Sequence, residues 1–207
     1  MAAPNRSIER TPSGMLRMPP VAAHVERERS MRQLLQAAFL SALLLPPLLL
    51  GAWIDSTGKL IPDTESMRSA GDFGVQIVLT ADEGQFRQTW RTSKTPPKLA
   101  TTNTVRLGAT VSALLIFHGC APNVAGVCDV VSEFIVEGPD GSKTPAGGGP
   151  VWSERPMQQR LLQLGQASMS LGFEKTDPVG DYKITANIKD KVSSRVLSVV
   201  TRLKVTK

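Results

Sequence analysis

The 207-residue sequence contains few of the residues on which most enzyme chemistry depends. It has two cysteines, two histidines and one tyrosine, and only His118 among the histidines lies beyond the first thirty residues. A Ser-His-Asp triad would therefore have one possible base, and no serine is placed near it in a recognisable motif. A G-x-S-x-G elbow is absent, and no lysine follows the glycine run Gly147–Pro150 as a phosphate loop requires. We expect no catalytic residues, no cofactor and no enzymatic activity.

The sequence also lacks a basic stretch of the kind that binds nucleic acid. Its formal net charge is +6, but residues 1–54 hold six arginines against three glutamates, which is half of the excess. The rest of the chain has 18 basic and 15 acidic residues, with no run of five like charges. Nucleic-acid surfaces usually need a clustered basic stripe. The charge pattern thus predicts no nucleic-acid partner.

A long apolar run, LLQAAFLSALLLPPLLLGA, extends from Leu34 to Ala52 behind several arginines. This pattern is typical of a secretory signal peptide or a signal anchor. A break at Pro46-Pro47 favours a signal peptide, because proline kinks a spanning helix, whereas the lack of an A-x-A motif favours a retained anchor. We expect a periplasmic or secreted domain, or alternatively an inner-membrane protein that contacts the membrane only through residues 34–54.

Four segments are predicted. Residues 1–30 are polar and proline-rich, which indicates a disordered leader or a mis-annotated one, since Met31 begins an ordinary signal peptide. Residues 31–54 form the signal peptide or signal anchor, and residues 55–72, without apolar periodicity, form a linker. Residues 73–207 form the folded domain.

Alternating apolar and polar residues mark strands throughout residues 73–207. In GDYKITANI, for example, Tyr182 and Ile184 share one face while Lys183 and Thr185 lie on the other. About seven such segments, with one short helix capped by Asp82, predict an all-β fold, an immunoglobulin-like antiparallel β-sandwich. Tyr182 follows a turn, so it is either a tyrosine corner or an ordinary core residue.

The stretch FHGCAPNVAGVCDV holds both cysteines and one histidine. In an exported domain Cys120 and Cys128 can pair only with each other, which predicts a disulfide, across the neck of a hairpin if the flanking strands are neighbours. The alternative is a small metal-binding or redox protein that uses His118, Cys120 and Cys128, with Asp129 as a distant fourth ligand. The spacing matches no common zinc motif, so we expect no metal, and we expect His118 on the surface at a strand end.

Binding is expected in loops, because loops on a rigid sandwich usually carry it. The first is the Cys120–Cys128 loop. The second is the connection GPDGSKTPAGGGPVW, in which Gly147–Pro150 is predicted to be flexible and Trp152 to pack in the core. The predicted function is an accessory or binding module of the cell envelope with a protein partner.

Several short motifs resemble a group of uncharacterised exported proteobacterial proteins with an immunoglobulin-like domain. The likeness covers roughly Phe73 to Val205 and rests on these features: Trp90 with Pro96-Pro97, VRLG at Val105–Gly108, a strand ending near Phe117, CDV at Cys128–Val130, PDGS at Pro139–Ser142 and DPVGDYKI at Asp177–Ile184. The resemblance implies export and a β-sandwich, and it implies no activity. Relatives place their second cysteine after PDGS, whereas this chain has it upstream at Cys120.

Overall fold

A computed structural model describes residues 53–55, 57–93, 98–157 and 161–207. The predicted leader (1–30) and nearly all of the predicted signal or anchor (31–54) lie outside these residues. Within the described part, no helix has the length and apolar character needed to cross a membrane.

Strands make up most of the described chain, with one helix between the fourth and fifth. The elements are β1 (Trp53–Ile54), β2 (Leu60–Ile61), β3 (Met67–Ala70), β4 (Phe73–Thr80), α1 (Glu83–Thr92), β5 (Thr104–Arg106), β6 (Thr110–His118), β7 (Val130–Glu137), β8 (Lys143–Trp152), β9 (Gln163–Gly172), β10 (Gly180–Asp190) and β11 (Arg195–Thr206).

The strands form two main sheets and a small hairpin. One sheet has the order β3-β4-β6-β9 and the other β5-β11-β10-β7-β8, while β1 pairs with β2. All pairs are antiparallel except β5, which runs parallel to β11. The chain crosses between the main sheets five times, after β4, β5, β6, β8 and β9, and such crossings are a feature of immunoglobulin-like domains. The prediction of an immunoglobulin-like antiparallel β-sandwich is confirmed.

The main core lies between the two sheets and is built from the alternating residues of facing strands. In β10, Tyr182, Ile184, Ala186 and Ile188 are buried, as the sequence pattern predicted. Buried side chains of β4 and β6 face them from the other sheet: Phe73, Val75, Ile77, Val111, Ala113, Leu115 and Phe117. Burial of this apolar surface stabilises the sandwich by roughly 25 cal/mol for each Å² removed from water.

A second, smaller apolar cluster covers the outer face of the β3-β4-β6-β9 sheet. Leu114 and Ile116 of β6 point into it, together with Trp53 and with Phe86 of α1. Asp82 caps α1, its Oδ1 accepting a hydrogen bond from the Gln85 N–H at 2.8 Å. Gly84 weakens the helix intrinsically, and burial of Phe86 compensates by anchoring it to the sheet. The predicted capped helix is present and spans ten residues.

The segment predicted as a linker, residues 55–72, contains strand β2 in its first half and strand β3 in its second half, which corrects the prediction. Strand β3 lies within it and pairs with β4, from Met67 opposite Gln76 to Ala70 opposite Phe73. Trp53, assigned to the signal or anchor segment, is buried in the second cluster. Sequence periodicity missed both because a four-residue edge strand and a single anchoring tryptophan are too short to produce a repeat.

The expected flexible connection at Gly147–Pro150 is also wrong. These residues belong to β8, which pairs with β7 along the sheet edge with two register shifts. Glycine and proline usually signal loops, but both occur at the edge of a sheet, where one side of the strand needs no ladder hydrogen bonds. Trp152, at the end of β8, packs edge-on against Phe117 with ring centroids 5.7 Å apart, so its predicted core contact is present.

Tyr182 forms a tyrosine corner, one of the two interpretations left open by the sequence. Its hydroxyl donates a hydrogen bond to the carbonyl oxygen of Pro178 at 2.9 Å. Its ring meets Phe173 edge-on, with centroids 5.2 Å apart. Burial raises the pKa of Tyr182, so its hydroxyl remains a protonated donor at neutral pH. The corner thereby joins the turn before β10 to the core.

We predict that Tyr182→Phe lowers the free energy of unfolding by about 1 kcal/mol, because it removes the hydrogen bond and keeps the ring. Tyr182→Leu should cost more, since it also removes the contact with Phe173. Urea unfolding measures both. Equal stability of Tyr182→Phe and the unchanged protein would show that the corner contributes nothing.

Candidate functional site at the loop end

Three loops meet at one end of the sandwich, which we call the loop end. They are the β6–β7 loop (119–129), the β8–β9 loop (153–162, described except for 158–160) and the β10–β11 turn (191–194). Backbone hydrogen bonds connect them: Cys128 N–H donates to Glu154 O at 3.0 Å, and Lys191 N–H donates to Asp129 O at 2.9 Å. The loop end therefore includes the cysteine loop that the sequence predicted as a site.

Cys120 and Cys128 form a disulfide, as predicted, with their Cα atoms 6.0 Å apart. Both are buried in the main core. The condition for a hairpin neck, that the flanking strands are neighbours, is not met, because β6 and β7 lie in different sheets and the loop carries the chain from one to the other. The disulfide closes this crossing. A disulfide is typical of an oxidising, extracytoplasmic environment.

The crossing loop has its own internal structure. Asn123 Oδ1 accepts hydrogen bonds from the N–H groups of Ala125 at 2.9 Å and Val127 at 3.1 Å. The Asn123 backbone also exchanges bonds with the loop, donating to Val127 O and accepting from Gly126 N–H, each at 2.9 Å. These bonds hold a tight turn whose tip is Val124, a fully exposed apolar side chain.

The Asp190 carboxylate stabilises the crossing loop through hydrogen bonds, a role that was not predicted from the sequence. This carboxylate is fully buried at the end of β10. Oδ2 accepts from Ala121 N–H at 2.9 Å and from the Ser193 hydroxyl at 2.6 Å, while Oδ1 accepts from Val192 N–H at 3.1 Å. A buried carboxylate is costly without partners, and these donors replace its water. Its position two residues after Ile188, in the buried register of β10, was the available signal.

His118 is buried, so the expectation of a surface side chain is wrong. It packs edge-on against Trp53, with ring centroids 4.8 Å apart, and lies over Gly74 of the neighbouring strand. A Cβ at Gly74 would overlap its Nε2 atom. Burial lowers the pKa of His118, while a hydrogen bond with the Asp72 backbone and the charge of Asp72 act in the opposite direction without reversing the shift. The imidazole is therefore held in its neutral form.

The three candidate metal ligands do not come together. His118 shares the face of β6 that carries Leu114 and Ile116, in the outer cluster, whereas both cysteines belong to the main core. The two sulfurs are bonded to each other. Across the described residues, no group of three or more histidine, cysteine or acidic side chains has the arrangement of a metal site. The two cysteines thus close the crossing loop, and His118 packs in the outer cluster.

We predict that Asp190→Asn lowers the free energy of unfolding by about 1–3 kcal/mol, because an amide cannot accept all the bonds that the carboxylate accepts. Asp129→Asn is the matched control, since it removes only the exposed ion pair with Lys191, whose Nζ lies 3.2 Å from Oδ1. That change should cost less than about 1 kcal/mol. Denaturant unfolding compares the two variants, and equal effects would contradict a fastening role for Asp190.

We predict that His118 makes stability depend on pH near neutrality. Its folded pKa is lower than the ordinary value of 6.5, so the unfolded chain binds the extra proton first. Stability should be complete above pH 6.5 and should fall as the pH drops through that value towards the lower folded pKa. Unfolding measured at pH 7.5 and pH 5.5 should show this loss, and His118→Gln should reduce it. An unchanged difference in the variant would exclude His118 as its source.

Comparisons with known proteins give no family. No family model matches the chain, and no curated protein matches it. Among solved structures it is similar to a CARDB domain from Pyrococcus furiosus in complex with di-metal ions, at 10% identity and TM-score 0.37, over 70% of this chain and 97% of that one. The chain is also similar to a Niemann-Pick type C2 protein from the Japanese carpenter ant, at 9% identity and TM-score 0.35, over 63% of this chain and 89% of that one. A third similar structure is a family 123 glycoside hydrolase from Clostridium perfringens, at 10% identity and TM-score 0.37, over 64% of this chain and 27% of that one. These similarities are too low to transfer a function, and the fold assignment rests on the strand order.

Proposed function

We propose that this protein is a non-enzymatic, exported β-sandwich module of the bacterial cell envelope that binds a protein partner at an open sheet edge. The observation that carries the proposal is the outer edge of β9. The disulfide, the apolar run at Leu34–Ala52 and the resemblance to exported proteobacterial immunoglobulin-like proteins support the location. The partner itself is a protein that can offer an extended strand.

One lateral side of the sandwich is closed. There the segment before β3 joins both sheets, with Glu65 O accepting from Val200 N–H at 2.7 Å and Ser66 O accepting from Ile77 N–H at 2.9 Å. Strand β5 covers the outer edge of β11 on the same side. These contacts use the backbone groups that an incoming strand would need, so this side is a poor docking edge.

The opposite side ends in β8 and β9, and the two edges differ. Strand β8 carries two prolines, three glycines and two register shifts, which are features that discourage pairing with another chain. Strand β9, QLGQASMSLG, has ten residues with no proline and no charge, and its one register shift lies in its first half, between Leu164 and Ser168. Within the described part, its one strand partner is β6, so its outer edge is unpaired.

Helix α1 covers the first half of this β9 edge. The Arg87 guanidinium donates to the carbonyl oxygens of Gly165 at 3.0 Å and Gln166 at 3.2 Å. Glu83 accepts from the Ser168 hydroxyl at 2.7 Å and pairs with Arg87. Burial opposes ionisation of Glu83, but its hydrogen bonds outweigh this and lower its pKa, so the pair stays charged.

Beyond Ser168 none of the residues that the structure describes covers the strand in this way. Ser170 and Gly172 are exposed, and alternate backbone N–H and C=O groups along an antiparallel strand point away from its partner. An edge of this kind accepts an added strand through main-chain hydrogen bonds, with side-chain pockets giving specificity. The second half of β9 is therefore the proposed docking edge.

We predict that a photo-reactive benzoylphenylalanine at Ser170 crosslinks one discrete protein in intact cells. The same probe at Lys204 should not, because β5 and β10 occupy both edges of β11 around it. Adding Gly172→Arg should abolish the Ser170 product, since a charge at an open edge opposes strand pairing. Gly172→Ala is the matched control and should preserve the product.

Two outcomes would contradict the docking edge: equal crosslinking from Lys204, or a Ser170 product that persists in Gly172→Arg. Location is checked separately by alkylation of the protein in cells followed by intact mass measurement without reductant. Export predicts no free thiol, and two free thiols would refute it.

A further inference from the structure

We propose that the partner strand at the docking edge inserts aliphatic side chains into a cleft between β8 and the second half of β9, so that it completes the main core as well as the sheet. We call this opening the side cleft, and its walls carry Val136, Ala146 and Leu171. The inference rests on the proposed function and deepens it by naming the partner: an extended segment of another protein with aliphatic residues at alternate positions.

The backbone at the end of β9 shows which residues an added strand would bond. The Phe173 N–H donates to Ala109 O at 3.0 Å, and the Phe173 carbonyl accepts from Gly108 N–H at 2.6 Å, so both groups face the β6 side. Along an antiparallel strand this direction alternates from one residue to the next. Ser170 and Gly172 therefore turn their N–H and C=O groups away from β6, towards an incoming strand.

The side chains along this edge show what an added strand would contact. Leu171 lies opposite Val111 of β6 and shares its core-facing side, whereas Ser170 lies opposite Ser112 on the outer side. Leu171 packs on the main core but is only partly buried. Because an added strand follows the same alternation, every second side chain of the partner would lie on the core-facing side, next to Leu171.

Strand β8 forms the other wall of the side cleft. Near the loop end the two strands are close, since a Cβ at Gly165 would lie 3.0 Å from Cγ1 of Val151, which is fully buried. Farther from the loop end, Ala146 of β8 and Val136 of β7 pack on the main core but are only partly buried. Among the described residues, the sandwich is thus closed near the loop end and open beside the second half of β9.

The lining of the side cleft determines which side chains fit it. Its walls are aliphatic, and Glu137 and Lys143 lie in register with Lys183 on the outer face of their sheet, away from the cleft. A charged side chain placed in the cleft would lose water without gaining a partner, which opposes binding. An aliphatic side chain would instead cover Leu171 and gain in proportion to the apolar area removed from water.

The short edge favours an extended segment over a second copy of this chain. Because α1 covers the first half of β9, the free ladder is limited to residues 168–172, or about 17 Å of strand. In a pair of β9 strands, Met169 and Leu171 of each copy would stay in their own core and leave both side clefts open. Specific interfaces between folded proteins bury about 1,200–2,000 Å², and a ladder of this length supplies little of that area.

The test measures binding of two labelled peptides to the full chain, synthesised in a cell-free system under oxidising conditions with lipid nanodiscs. One peptide is Lys-Thr-Val-Thr-Val-Thr-Lys, and its matched control replaces both valines with serine while keeping the same backbone ladder. Fluorescence anisotropy should show binding of the valine peptide that is at least about tenfold tighter, because only valine covers the cleft. Gly172→Arg should abolish this binding, which assigns it to the β9 edge.

A second variant pair tests the side cleft itself. Ala146→Trp should fill the cleft and weaken binding of the valine peptide at least about tenfold. Pro145→Trp is the matched control and should leave binding unchanged, because Pro145 lies opposite Ile135 on the outer face of the same sheet. If Ala146→Trp misfolds by circular dichroism, Ala146→Leu replaces it.

Three outcomes would overturn the inference: no binding of the valine peptide, equal binding of both peptides, or equal effects of the Ala146 and Pro145 variants. Dimerisation of the full chain that Ala146→Trp abolishes would also overturn it, in favour of a second copy. The Ser170 crosslink in cells distinguishes this failure from failure of the proposed function. A Ser170 product that persists in Ala146→Trp would contradict the cleft alone, whereas no Ser170 product in the unchanged chain would contradict both.

Discussion

The burial of β6 on both faces is the constraint on which the rest of the structure depends. One face contributes Val111, Ala113, Leu115 and Phe117 to the main core, and the other contributes Leu114 and Ile116 to the outer cluster. A strand covered on both sides must read as a continuous apolar run, which is how VSALLIF appears in the sequence. The helix, the β1–β2 hairpin and Trp53 are all positioned by the need to cover its outer face.

The site follows from the way β6 ends. His118, the last residue of β6, lies on the outer side of its sheet, and Cys120 would share that face if the strand continued, because residues two apart lie on one face. Instead, the chain turns after His118 and places Cys120 in the main core. Gly119 between them has φ +70°, and a Cβ there would overlap the Asp72 carbonyl oxygen, so the chain can turn at this point only with glycine. The turn at Gly119 thus separates His118 from the two cysteines, which the sequence had suggested as joint metal ligands, and the disulfide closes the crossing between the sheets.

The division of the surface has the same origin. Closing one lateral side with β3 and β5 leaves β8 and β9 as the free edges, and the composition of these two strands decides which of them is protected. The crossing loop and its neighbours must lie at the end of the sandwich, where their backbone groups are satisfied by one another and by Asp190. The lateral edge and the loop end are therefore separate surfaces of the domain.

Local periodicity determined much of this protein: most strands of residues 73–207, with β8 as the exception, the helix capped by Asp82 and the sandwich class all follow from neighbours within a few residues. The pairing of the two cysteines followed from their number in an exported chain. Tertiary structure alone decided which strands share a sheet, and hence that Cys120 and Cys128 close a crossing between sheets. It also decided that His118 is buried against Trp53. In the same way, it placed Asp190 next to Ala121 of the crossing loop, 69 residues earlier in the chain. The physical reason is that a side-chain repeat specifies which face of an element is apolar, whereas the partner of that face, and any polar group buried with it, depends on contacts between segments far apart in sequence.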